Sequence, residues 1–309
     1  MRTEGVSSKK TNRYSLHRRI WRGRQNYLLL FPFLLFFFVF TLLPVILSII
    51  LGFTNYDMLS KPSFVGFDNY MRMFFDDDVF MIAIKNTMVF ALFTGPLSYM
   101  LCFLFAWLIN ELRPKMRALA TVIFYAPALS GQAFTVWMFI FSSDQYGIIN
   151  GLLMRLGFLN EPIAWLSNSA YTMTVLIIVQ LWLSLGTGFL AFIAGLQGVD
   201  TGLYEAAAID GIRNRFQELW HVTLPSMVPQ LLFGAVMQIV TSFSVAEVSM
   251  SLAGFPSVEY SAETIVTHII DYGTLRFEMG YASAMAGFLF IVMLLAQKGV
   301  TKLLRGVGH

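Results

Sequence analysis

Charged side chains are scarce in this sequence. Asp, Glu, Lys and Arg make up 13% of the 309 residues, and 57% of the residues are hydrophobic. Soluble domains carry roughly 25% charged residues, so the composition excludes an ordinary soluble protein. The hydrophobic residues lie in long blocks. Such blocks are typical of helices that cross a membrane, because a complete helix satisfies its own backbone polar groups in lipid.

Cysteine and cofactor-binding motifs are also scarce. Cys102 is the single cysteine, so the chain forms no intramolecular disulfide. The sequence has no GxxxxGK[ST] phosphate-binding loop, so we expect no ATP site in this chain. The four histidines are His17, His221, His268 and His309. None has metal-ligand spacing with another histidine or a carboxylate pair, so we expect no metal site and no catalytic residues. The net charge of +3 is too small to indicate a nucleic-acid partner.

Six hydrophobic blocks are long enough to cross a membrane, for which about 20 residues are needed. They are Tyr27–Phe53, Ile82–Ile109, Ala118–Phe141, Ala170–Leu196, Met227–Ala246 and Met279–Leu295. The sequence therefore predicts an all-α integral membrane protein with six transmembrane helices. The predicted organisation is a tail at 1–26, the first transmembrane helix at 27–53, a loop at 54–81, a core of five transmembrane helices at 82–297 and a tail at 298–309.

The distribution of charge predicts the orientation. Sixteen of the 21 basic residues lie in both tails and in the connections after the second and fourth blocks. Because cytoplasmic segments collect Lys and Arg, we expect both termini in the cytoplasm and the 54–81 loop outside. The tail before Tyr27 is interpreted as fixing this orientation, with binding to anionic membrane lipid or a partner as the alternative. Lys85 and Glu247, near span ends, are interpreted as side chains that reach the membrane surface.

The segment 197–226 is much longer than the usual helix-to-helix connection of about 2 to 8 residues. Asp200 is predicted to cap a short helix, and Asp210-Gly211 predicts the turn that ends it. A second amphipathic stretch follows, which Leu224-Pro225 is expected to close. This pattern predicts a cytoplasmic helix-turn-helix that docks into another protein. A plain amphipathic hairpin on the membrane surface is the alternative.

Three short motifs succeed one another in this segment, namely Glu-Ala-Ala, Asp-Gly and Leu-Pro. Their residues are Glu205, Ala206, Ala207, Asp210, Gly211, Leu224 and Pro225. This order resembles the coupling (EAA) loop of the permease subunits of ATP-binding-cassette (ABC) importers, in the sugar-importer branch. The stretches FVGFDNY at 64–70 and GYASAMA at 280–286 also resemble parts of these permeases. The resemblance covers most of the chain from Asn26 onward.

The resemblance implies a type I ABC importer permease fold and a subunit without catalytic activity. Its function would be to form half of the pathway for a sugar or oligosaccharide across a bacterial plasma (inner) membrane. The implied partners are a second related permease, two ABC ATPase subunits that bind ATP and Mg, and an extracellular or periplasmic sugar-binding protein. In this family Gly211 would allow the sharp turn of the loop, and Glu205 would meet a basic group of the ATPase.

Polar residues in the fourth and fifth blocks are candidates for the substrate cavity. They are Gln180, Leu183, Ser184, Thr187, Gln238 and Thr241, of which Leu183 is included only because maltose-type permeases line their cavity at that position. Spacings of four and three place Gln180, Ser184 and Thr187 on one face of a continuous helix. The alternative is that the small polar side chains join helices to one another.

Two other functions fit a polytopic membrane protein. An ion-coupled secondary transporter of a small polar solute is expected to keep ionisable groups at mid-membrane, and the centres of these blocks have almost none. An integral membrane enzyme needs a catalytic constellation, which the sequence does not supply. The permease interpretation is therefore preferred.

Overall fold

The computed structural model describes residues 24–130 and 133–305. These residues are mainly helical, and their one β-type pairing is an isolated bridge between Thr54 and Phe64. Contacts divide the chain after Ile50 into two units. The first unit contains the first transmembrane span, and the second unit begins at Leu51.

The first span consists of helices Arg24–Phe37 and Leu43–Leu51 joined by the π-helical turn Phe38–Leu42. This turn ends two residues before Pro44, and the Leu43 N–H donates to the Phe38 carbonyl five residues earlier. Proline lacks an N–H and crowds the preceding turn of a helix. The wider π turn accommodates Pro44 without ending the helix.

The second unit contains the remaining spans. Its α-helices are Asp68–Phe75, Asp78–Asn110, Pro114–Leu129, Ala133–Ile140, Ile148–Arg155, Ser169–Leu183, Thr187–Gln197, Thr201–Ile209, Arg215–Glu218, Leu224–Ser226, Val228–Phe243, Glu247–Ala253, Ile265–Ile270 and Met279–Arg305. Leu219–Thr223 and Asp271–Leu275 are π turns, and Val258–Tyr260 is a 3-10 turn.

Six spans are found when the bent pair Pro114–Leu129 and Phe134–Ile140 is counted as one, together with five longer helical segments. The predicted all-α membrane fold with six spans is confirmed. The last helix continues to Arg305, so the predicted boundary at 297 does not coincide with a helix end. Residues 1–23 and 306–309 of the two predicted tails lie outside the described residues.

The second span lies at the centre of its unit and packs against the fourth and fifth spans. Their shared apolar cluster includes Cys102, Phe189, Phe192 and Leu231. Gly234 of the fifth span leaves room for the buried ring of Phe192, since a Cβ there would lie 2.4 Å from the ring. Small residues of this kind let membrane helices approach closely.

Three spans of this unit are interrupted part-way. The two halves of the third span are inclined at 85°. The fourth span ends at Leu183 and restarts at Thr187, and the fifth ends at Phe243 and restarts at Glu247. The expectation of one continuous helical face through Gln180, Ser184 and Thr187 is therefore wrong.

Side chains of neighbouring spans stabilise the break in the fourth span. The Ser184 carbonyl accepts a hydrogen bond from the Gly186 N–H at 2.7 Å, and Cys102 Sγ at 3.2 Å and Gln238 Nε2 at 3.4 Å also donate to it. Gly186, two residues after Ser184, favours the interruption, because glycine is a poor helix former. Irregular backbone at membrane depth is tolerated only where such partners satisfy it. The side-chain partners are distant in sequence, which explains why the break was not predicted.

Different segments of the chain contact the two ends of the second span. At its last turn, Arg215 of the 197–226 segment lies 3.4 Å from Glu111. At its first turn, Asp77 accepts a hydrogen bond from His268 at 2.9 Å. The basic connections after the second and fourth spans therefore lie at the same end, as the predicted orientation requires.

Cysteine labelling tests this orientation. Asp76 and Asn214 are exposed at opposite ends of the second unit, whereas Cys102 is buried and Asp77 is hydrogen-bonded. In intact cells we expect an impermeant maleimide to label Asp76→Cys and to label Asn214→Cys only after permeabilisation. The variants are scored against the unmodified chain, which should remain unlabelled. Labelling of Asn214→Cys from outside would reverse the orientation.

Candidate functional site

A cavity of about 550 Å³ lies where the three interrupted spans meet. The third span contributes the residues around its bend, the fourth the end of its first half, and the fifth the residues around its break. Among the lining residues are Ser130, Phe134, Gln180, Leu183, Thr241 and Glu247. The cavity thus combines apolar walls with a few polar side chains, which is typical of a site for a small organic ligand.

The structure brings three of the six predicted cavity residues together. Gln180, Leu183 and Thr241 line the cavity. Ser184 and Gln238 are buried, and Gln238 Nε2 on the fifth span donates to the Ser184 main-chain carbonyl at the break in the fourth span, so both residues hold that backbone in place. Thr187 is exposed on the second half of the span and does not line this cavity.

Four polar side chains of the cavity remain available to a ligand. The Gln180 amide, the Glu247 carboxylate and the hydroxyls of Ser130 and Ser244 form no hydrogen bond with any other residue that the structure describes. The Thr241 hydroxyl, in contrast, donates to main-chain carbonyls of its own helix, including that of Gln238 at 3.1 Å. The sequence predicts instead that Glu247 reaches the membrane surface. Its place on the cavity depends on the break at 244–246, which the sequence pattern did not show.

The first helix of the 197–226 segment has the predicted cap and turn. Asp200 Oδ1 accepts from the Gly202 N–H at 2.9 Å. At the other end the Ile212 N–H donates to Ala207 O at 3.0 Å, and the Gly211 N–H donates to Ala208 O at 3.3 Å. This pair of bonds is a Schellman motif, and Gly211 has the required positive φ of 96°. The predicted helix and its glycine turn are confirmed.

The second helix of the segment extends further than predicted. Asn214 Oδ1 caps it by accepting from the Gln217 N–H at 2.8 Å. The expectation that Leu224-Pro225 closes this helix is wrong, because a π turn at Leu219–Thr223 accommodates the proline and the helix continues to Ser226. A single turn residue, Met227, then connects it to the fifth span.

Large apolar side chains are exposed on this segment. They are Leu203, Ile209, Phe216 and Trp220. Ile209 is 87% exposed and Phe216 74% exposed. Glu205 is also exposed, and it forms no ion pair with a residue that the structure describes. Several exposed apolar side chains on one short segment, together with a charge that has no described partner, are typical of a protein-protein contact site.

Comparison with known proteins identifies the family. The "Arabinooligosaccharides transport system permease protein AraP" of Bacillus subtilis (strain 168) is 32% identical over 87% of this chain and 84% of its own length. The "Probable ABC transporter permease protein YesP" of the same strain is 30% identical over 87% and 86%. This chain belongs to the permease proteins of ABC transporters. No protein-family model matches it.

Further comparisons agree with this assignment. The lactose transport system permease protein LacF of Rhizobium radiobacter is 28% identical over 93% of this chain and 94% of its own length. A chain of the bacterial alginate ABC transporter, crystallised with an alginate pentasaccharide-bound periplasmic protein, has the same fold. Its TM-score is 0.76 at 24% identity, covering 96% of this chain and 99% of that chain. As an ABC transporter permease, the chain is a non-catalytic subunit.

The ABC permease also has a buried charge cluster that no sequence motif indicated. Asp77 Oδ2 accepts hydrogen bonds from His268 Nε2 at 2.9 Å and from Tyr281 Oη at 2.8 Å. On the other side of the imidazole, His268 Nδ1 lies 3.6 Å from Glu263 Oε1. The two carboxylates face opposite ring edges and do not converge on a common ion. Among the described residues no cluster suited to a metal is found.

The partners in this cluster shift each other's pKa. Burial alone would lower the pKa of His268, but the hydrogen bond to Asp77 and the nearby carboxylate of Glu263 outweigh it and raise that pKa to about 9. Burial alone would raise the pKa of Asp77, but the hydrogen bonds from His268, the Phe80 N–H and Tyr281 lower it to about 2. A charged imidazole between two carboxylates therefore ties the start of the second span to the segment before the sixth.

Stability should depend on pH through this cluster. The His268 contribution is complete below its ordinary pKa of 6.5 and is lost as pH rises through about 9. The Asp77 contribution is complete above 3.8 and is lost as pH falls through about 2. We expect the unfolding temperature of the detergent-solubilised complex to fall by a few degrees between pH 6.5 and 9.

The variant His268→Gln should flatten that alkaline fall and lower the unfolding temperature at pH 6. His221 is exposed, and His221→Gln is the matched control that should retain the profile of the unmodified protein. An unchanged alkaline fall in His268→Gln would show that the cluster does not carry the charge described.

Proposed function

We propose that this permease forms half of the translocation pathway of a bacterial importer for a sugar or oligosaccharide, and that its 197–226 segment couples the pathway to ATPase subunits. The observation that carries the proposal is the exposed helix-turn-helix, with its apolar side chains and the unpaired Glu205. Such a surface is suited to a cleft on another protein that is lined by apolar and basic groups.

The assembly proposed is a second related permease, two ATPase subunits and an extracellular or periplasmic sugar-binding protein. ATP and Mg would be bound by the ATPases, because this sequence has no phosphate-binding loop. The membrane would be the bacterial plasma membrane, with both termini cytoplasmic, as the distribution of Lys and Arg predicts. The coupling segment then faces the compartment that supplies ATP.

A continuous path of contacts would carry movement from the coupling segment to the cavity. Its two helices are joined by a hydrogen bond between Tyr204 Oη and Thr223 Oγ1 at 3.0 Å. The second helix continues through Met227 into the fifth span, on which Thr241 lies. Displacement of the segment by ATPase closure would therefore turn the fifth span and change the shape of the cavity.

A sugar fits the cavity in size and chemistry. Its volume of about 550 Å³ is within the range for small-molecule sites. Gln180 offers both a donor and an acceptor, and Phe134 and Leu183 offer apolar surface for a sugar ring. Several relatives are named for sugar transport, including the arabinooligosaccharide and lactose permeases.

Replacement of the turn glycine tests the coupling role. A valine at Gly211 meets no atom within 4 Å of its Cβ, but it is strained by the positive φ. We expect Gly211→Val to distort the docking segment. Both sugar transport and substrate-stimulated ATPase activity of the assembled complex should then fall several-fold together.

Gly157 provides a closely matched control. It has a φ of 76°, no atom within 4 Å of its Cβ, and the same pair of Schellman hydrogen bonds at the end of Ile148–Arg155. Gly157→Val therefore carries similar backbone strain outside the coupling segment and should retain ATPase stimulation. If Gly211→Val imports sugar and hydrolyses ATP as well as Gly157→Val does, this turn does not couple the subunits.

A further inference from the structure

The cavity contains a negative charge without a positive partner. Of the described residues that line it, Glu247 alone has an ionisable side chain. The residue is exposed, and its carboxylate forms neither a hydrogen bond nor an ion pair with any described residue. It lies at the start of Glu247–Ala253, directly after the break in the fifth span.

We propose that Glu247 determines substrate charge, so that the cavity accepts saccharides lacking acidic groups and rejects those that carry a carboxylate, sulfonate or phosphate. The inference rests on the proposed function, since it assumes that the cavity holds a sugar. It goes further by assigning a role to a residue that is otherwise an exposed side chain near a span end.

A bound neutral saccharide would satisfy this carboxylate. Sugar hydroxyls are donors, and hydrogen bonds to an ionised acceptor are shorter and stronger than those between neutral groups. Gln180 and Glu247 line the same cavity, so hydroxyls of one sugar could bond to both side chains. The apolar walls formed by Phe134 and Leu183 would exclude water and increase the strength of these bonds.

An acidic saccharide would meet repulsion at the same position. Like charges brought together in a binding site oppose association, and here no described basic residue lines the cavity to offset the repulsion. The polar residues that remain are amide and hydroxyl groups, which do not neutralise a second carboxylate. Charge would therefore separate neutral from acidic sugars more strongly than size does.

Binding to the assembled transporter in nanodiscs, without its sugar-binding protein, tests the inference. The probes are neutral disaccharides paired with their uronates, namely galactobiose with digalacturonate and mannobiose with dimannuronate. We expect the unmodified transporter to bind the better neutral disaccharide at least about tenfold more tightly than its uronate. Glu247→Gln, which has the same shape without the charge, should reduce that ratio towards one. Glu247→Asp should retain it.

Glu161 supplies the control, because it is an exposed carboxylate that does not line the cavity. Glu161→Gln should leave the ratio and the basal ATPase activity unchanged. An equal ratio in Glu247→Gln and the unmodified transporter, or a preference of the unmodified transporter for uronates, would overturn the inference and leave the sugar function standing. If none of the disaccharides binds to the unmodified transporter, the sugar assignment fails and the inference fails with it.

Discussion

A backbone carbonyl that loses its helical partner inside a membrane needs another hydrogen-bond donor, and this requirement governs the architecture of the permease. The Gly186 N–H and the side chains of Cys102 and Gln238 supply donors to the Ser184 carbonyl, so the fourth span can be interrupted there. The third and fifth spans are interrupted at the same cavity. Each interruption replaces a continuous apolar helix face by a concave surface with polar groups, and that surface is what a polar solute needs.

The same physical limit explains how two of the proline residues are accommodated. Pro44 and Pro225 each lie just after a π turn. The wider turn makes room for a residue that has no N–H to donate, so neither proline ends its helix. In the coupling segment the result is a helix that passes Leu224-Pro225 and reaches the fifth span through Met227. The proposed docking surface and one wall of the cavity are thereby joined through the single turn residue Met227. Coupling over this distance needs no separate relay of side chains.

Much of this structure could be predicted from local sequence. Block lengths indicated six spans, and Asp200 and Gly211 marked the ends of the first coupling helix, because caps and turns depend on neighbouring residues. The breaks at Ser184 and after Phe243 could not be predicted, since their partners lie on other spans. His268 and Asp77 are far apart in sequence and come together only in the folded chain, so the spacing of residues in the sequence could not predict their contact.

The central claim is that ATP, rather than an ion gradient, drives transport through this chain. The most direct measurement is sugar uptake by proteoliposomes that contain the assembled transporter, with its sugar-binding protein outside and ATP enclosed. Uptake should continue when ionophores collapse all ion gradients, and it should stop when enclosed ATP is removed while the gradients persist. Uptake that follows an ion gradient without ATP would identify a secondary transporter and contradict this account.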